Sequence, residues 1–101
     1  MSELIMTNLI ERQRDWSLET FGPGRATDRI CAHIREELIE ITSTPDDLDE
    51  WVDVMLLAMD GAWRSGHTPG EIIRALHRKQ SVNSSRQWPE PTSDQPCHHA
   101  V

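Results

Sequence analysis

The chain has 101 residues, room for one small domain with a modest core. Seventeen acidic residues against ten Lys and Arg give a formal net charge of −7, which argues against a general binder of nucleic acid or of anionic membranes. The start lacks the basic and long apolar regions of a secretory leader, no apolar run is long enough to span a bilayer, and Cys31 and Cys97 make no disulfide framework. Together these features point to a cytoplasmic protein in a reducing compartment.

In the first segment Leu4, Ile5, Leu9 and Trp16 recur at near-helical intervals. This predicts a helix over 7–19, with Thr7 or Asn8 as its cap. Phe21-Gly22-Pro23-Gly24 ends it with a turn. A second helix follows over 27–41, capped by Thr27 or Asp28, with Ile30, Ile34, Leu38 and Ile41 as its apolar stripe. Cys31 reads as a small core residue. Glu37 lies at the edge of the stripe, and Glu36 and Glu40 lie opposite its middle.

Pro45-Asp46-Asp47 opens a third helix over 46–65, with Thr44 as cap and Pro45 at the first helical position. Gly66 terminates it. From Trp51 to Trp63 this helix is apolar over most of its circumference, so it is expected to be mostly buried. Its polar residues Glu50, Asp53, Asp60 and Arg64 fall on one narrow stripe. Thr68-Pro69-Gly70-Glu71 carries a capping box and starts a fourth helix over 69–85. Ile72, Ile73 and Leu76 are its apolar positions, and His77, Arg78, Lys79, Asn83 and Arg86 make the other face. Residues 1–89 form the domain, and 90–101, with three prolines and no periodicity, form a flexible tail. Cys97, His98 and His99 in that tail make a poor zinc site, having no partner cluster.

Helical spacing puts Glu37 and Glu40 on one side of the second helix and Glu50 and Asp53 on one side of the third. A short connection makes the two helices antiparallel neighbours. Four or five carboxylates then meet near the loop and repel one another unless a cation sits among them. Hard oxygen donors in that number suit Mg²⁺, with Mn²⁺ as a substitute. The alternative is an ordinary solvated acidic face. No Ser/His/Asp or Cys/His set is evident, and the five histidines are scattered. Lys79, Asn83 and Arg86 share one face of the last helix, which on the residues alone reads as a solvated basic face. On the residues alone, Trp16 reads as plain core.

The pattern Glu36-Glu37-x-x-Glu40 and Glu50-x-x-Asp53 resembles the all-α, MazG-like nucleoside triphosphate pyrophosphohydrolases. It is most similar to the phage-type dATP/dGTP branch. The resemblance covers roughly residues 9–89. It includes Arg12-Gln13-x-x-Trp16-Ser17, Thr20-Phe21-Gly22-Pro23-Gly24, His33-Ile34-Arg35, Gly61-Ala62-Trp63-Arg64-x-Gly66-His67 and Lys79-x-x-x-Asn83-x-x-Arg86-x-Trp88-Pro89. The gap between Glu40 and Glu50 is shorter than in the wider superfamily and fits the dATP/dGTP branch.

What the resemblance implies is a four-helix MazG-like bundle; the third helix, apolar nearly all round in a chain too small to bury it alone, predicts its completion as a homodimer or homotetramer. The resemblance also implies Mg²⁺-dependent hydrolysis of purine deoxynucleoside triphosphates to monophosphate and pyrophosphate, in control of nucleotide pools. Carried over residue by residue, Glu37, Glu40, Glu50 and Asp53 bind metal. Glu36 and Glu37 are catalytic, Glu36 as an added ligand or general base. Lys79, Asn83 and Arg86 bind substrate as a clamp on the β and γ phosphates, and Gln13 and Trp16 bind it by hydrogen bonding and stacking at the base, the second of two readings for Trp16. The expected partner is the nucleotide, with neither nucleic acid nor membrane, in the host cytoplasm if phage-encoded. A non-catalytic oligomeric helical module, or a nucleotide sensor without turnover, is the competing reading.

Overall fold

The computed structural model describes residues 2–91 and 93–98. Among them are four helices and no strand: α1 Ser2–Phe21, α2 Thr27–Ser43, α3 Leu48–Arg64 and α4 Pro69–Ser85. The all-α class and the four-helix order agree with the sequence reading. No helix among the described residues is long and apolar enough to cross a membrane. His99 lies outside the described residues, so the Cys97-His98-His99 tract is only partly in view.

Helix ends show where local chemistry decides and where it does not. At α4 the capping box forms as the sequence predicts. Thr68 accepts from the Glu71 amide at 3.1 Å, and Glu71 accepts from the Thr68 amide at 3.1 Å. Gly66 closes α3 at φ 105°, a conformation that costs glycine little and other residues more. Three expected caps are different. α1 starts at Ser2, not Thr7, because nothing in Ser-Glu-Leu-Ile-Met breaks a helix. Thr7 instead donates back to the Glu3 carbonyl at 2.8 Å, and Asn8 lies inside the helix.

α2 is entered through Ala26 in the left-handed region (φ 52°), with no side-chain cap from Thr27 or Asp28. Thr44 does not cap α3. It closes α2, its hydroxyl donating to the Glu40 carbonyl at 3.0 Å. Asp47 is the α3 cap, accepting from the Asp49 amide at 3.1 Å, and Pro45 stays in the loop, where its carbonyl accepts from the Trp51 indole.

α3 is the hub. α2 makes the most extensive packing against it, α1 and α4 pack on it and on each other, and the backbone of α2 approaches neither α1 nor α4. At 100° per residue, Gly61 faces α2, where a Cβ would stand 3.9 Å from Ile30 Cγ2. Met55, Met59 and Ala62 face α4 and meet Ile72, Ile73 and Leu76 across an apolar groove. Among the described residues the buried apolar core is small: Ile10, Ile30, Ile41 and Ile73.

The expectation that α3 is mostly buried does not hold within one chain. Trp51 is 49% exposed between α2 and α4, where neither covers it, and Met55 is 59% exposed because the groove it lines with α4 is open. Leu38 also departs from its expected place. It is 48% exposed, and the inward face of α2 runs through Ile30, Ile34, Glu37 and Ile41.

A polar network locks α1 and its turn to α3. Arg64, 7% exposed, donates to the carbonyls of Gly22 (2.9 Å) and Gly24 (3.0 Å) and to Ser17 Oγ (3.0 Å). Ser17 in turn donates to Asp60 at 2.8 Å, and the Trp63 indole donates to Asp60 at 3.0 Å. Asp60 and Arg64, read from sequence as members of an acidic stripe, therefore serve this joint.

Candidate metal centre

The inward turn of Glu37 builds the site. Its helical phase matches Ile30, Ile34 and Ile41, so α2 delivers a carboxylate to the α3 interface instead of to solvent. Glu40 lies one turn further on, and the 44–47 loop returns the chain so that Glu50, in the first turn of α3, meets both. One carboxylate oxygen from each of Glu37, Glu40 and Glu50 lies within 4.8 Å of the others. Glu37 is only 8% exposed, Glu50 is half-buried and Glu40 is exposed.

Three carboxylates this close disfavour full ionisation. Glu50 bears the effect, its pKa raised from an ordinary 4.5 to about 7. Its protonated form is held first by hydrogen bonding to Glu37 and then to Glu40, with burial and repulsion by the same two groups adding to the shift. Oε2 of Glu37 and Oε2 of Glu50 are buried without a hydrogen-bond partner. Buried carboxylate oxygens without donors, on a site of three hard ligands and no sulfur, fit a small divalent cation such as Mg²⁺ or Mn²⁺.

Beside the acids a cleft of about 230 Å³ opens between α1 and α2, with α3 as its floor. α1 lines it with Gln13, Trp16 and Phe21, α2 with His33 and Glu37, and α3 with Asp53, Leu56, Leu57 and Asp60. Trp16 and Phe21 meet edge to face, ring centroids 5.6 Å apart, and Arg29 stands 5.3 Å over the Phe21 ring. Trp16 is 54% exposed, so of its two readings the core one is excluded. Gln13 donates weakly to Asp60, at 3.4 Å, from the same wall.

Not every expected site residue joins the group. Asp53 is exposed, one turn along α3 from Glu50; it lines the cleft with Glu37 but lies outside the converging three. Glu36 is exposed and also outside them. Lys79 lines the apolar groove that α4 forms with α1 and α3. That groove meets α3 on the face opposite Glu50 and Asp53, so α4 does not pack beside the acids of its own chain. Asn83 accepts from the Trp88 indole through its carbonyl at 2.8 Å, and Arg86 caps α4.

His33, which the sequence places in the His33-Ile34-Arg35 segment without a role, has its Nε2 3.3 Å from Glu37 Oε1. The legible signal was its spacing, four residues before Glu37 on one helix.

Comparison with known proteins agrees with the family resemblance. The profile of the family described as dATP/dGTP pyrophosphohydrolase matches residues 9–101, further into the tail than the sequence resemblance reached. The Eaa protein of Salmonella phage P22 is 35% identical over 85 residues, which is 84% of this chain and 26% of that protein. The chain thus spans about a quarter of the length of this curated relative. No solved structure matches it.

Proposed function

The chain belongs to the dATP/dGTP pyrophosphohydrolase family, and from that premise we propose that it hydrolyses purine deoxynucleoside triphosphates to the monophosphate and pyrophosphate with Mg²⁺, limiting nucleotide pools in the cytoplasm. The observation that carries this reading is the meeting of Glu37, Glu40 and Glu50 at the edge of a cleft walled by Gln13, Trp16 and Phe21.

Glu37, Glu40 and Glu50, with Asp53 beside them, would hold the cation. When bound, it offsets the charge of the triphosphate and polarises its phosphoryl oxygens, without which a chain of net charge −7 repels the substrate. Trp16 and Phe21 offer the base a flat surface, and Gln13 a hydrogen bond at its edge, which discriminates more strongly than stacking alone. Glu36, exposed beside the group, is the candidate base for the proton of the attacking water.

Lys79, Asn83 and Arg86 lie on a helix that packs away from these acids. We assign them to the leaving phosphates of a nucleotide held by a second copy, in a homodimer or homotetramer. The uncovered Trp51, Met55 and Leu76 favour such an assembly.

The test is a panel of the four deoxynucleoside triphosphates with and without Mg²⁺, products separated by chromatography. Pyrophosphate with a purine preference is expected. Orthophosphate as the sole inorganic product overturns the reaction, and kcat/KM for dCTP or dTTP equal to that for the purines overturns the specificity. Binding without turnover favours the sensor reading.

A further inference from the structure

We propose that His33 is a positioning residue for the cation site, holding one oxygen of Glu37 so that the other stays aimed for a ligand; this rests on the metal reading above. Glu37 is the buried member of the acidic group, and its two oxygens are in different situations. Oε1 lies 3.3 Å from His33 Nε2, and Oε2 is buried with no partner. A glutamate has three side-chain torsions, and a carboxylate beside two others is pushed away from them. A polar contact on one oxygen opposes that push and restricts rotation of the group. Outer partners of this kind commonly change metal affinity 10- to 100-fold.

The placement of His33 is specific. It sits one helical turn before Glu37 and lines both the main cleft and the smaller one next to it, which Phe21, Arg29 and Ile30 also line. The ring is about half exposed, so it has no core role. Its removal therefore leaves the packing of α2 on α3 intact, since that rests on Ile30, Ile34 and Ile41.

The experiment is Mn²⁺ titration calorimetry on the intact chain, comparing the wild type with His33→Leu, His33→Gln and His33→Asn, with circular dichroism melts as fold control. The Gln amide nitrogen overlays Nε2, whereas the Asn amide overlays Nδ1 and falls short. Affinity is expected to fall about 10-fold in the Leu and Asn variants and to stay within about threefold of wild type in the Gln variant, at unchanged helicity. Wild-type binding with the Leu and Asn variants equally tight overturns the role of His33 alone. A Gln variant as weak as the Asn variant overturns it too, because the Nε2 position is then irrelevant. A wild type that takes up no Mn²⁺ overturns this inference and the metal reading together.

Discussion

Replacing Arg64 with Met keeps most of the side-chain volume and removes every donor that ties the turn after α1 to α3. Four contacts go: Gly22 at 2.9 Å, Gly24 at 3.0 Å, the Ser17 carbonyl at 3.3 Å and Ser17 Oγ at 3.0 Å. A hydrogen bond to a charged group contributes about 1.5–3 kcal/mol. The two glycine carbonyls lie in an exposed turn and can rehydrate, so they count for little. The Ser17 contacts are buried, and Ser17 is also the donor to Asp60. Each buried polar group left without its partner costs about 1–3 kcal/mol. With partial relaxation the expected loss is about 3 kcal/mol, against about 5–15 kcal/mol for a whole domain.

The assay is urea denaturation at fixed protein concentration. At about 1.5 kcal/mol per molar, the midpoint falls by about 2 M. Arg64→Lys is expected to recover little, since an ammonium cannot span both carbonyls and Ser17 as the guanidinium does. A midpoint shift under about 0.3 M in Arg64→Met would refute the reasoning, because it would mean that the joint adds no net stability. If the joint holds, KM should also rise, since Phe21 and Trp16 depend on that turn for their place in the cleft.

Gly61→Ala is expected to stabilise the fold by about 0.5–1 kcal/mol in thermal melts, since Gly61 is helical and the added Cβ meets Ile30 at an ordinary 3.9 Å. Thr68→Ala is expected to cost about 1 kcal/mol in the same melts, through loss of the α4 cap. Glu50 gives a pH signature without metal. Its pKa is raised to about 7, so between about 4.5 and 7 the folded chain binds more protons at Glu50 than the unfolded chain does. The stability from this group is full below 4.5 and is lost as pH rises through 7; Glu50→Gln should flatten that slope in denaturation at several pH values.

The sequence by itself determined the helices and several of their ends, because those depend on neighbours within a few residues. Gly66 and the Thr68–Glu71 box act locally, and so do Phe21-Gly22-Pro23-Gly24 and the spacing of Glu37 and Glu40. Local chemistry was ambiguous where two residues could do one job. Thr44 and Asp47 are both good caps, and only the completed end of α2 claimed Thr44 for its own carbonyl. The acids were legible as a set, but their geometry was not. Whether Glu37 or Leu38 turns inward is a matter of about 100° of helical phase, set by how α2 seats on α3 around Gly61. The same seating brings Glu50 to Glu37 and leaves Glu36 outside. Nor does the chain show along its length that α4 packs on the side of α3 opposite the acids. That depends on which apolar faces cover one another, and it separates Lys79 from the carboxylates that its charge would complement.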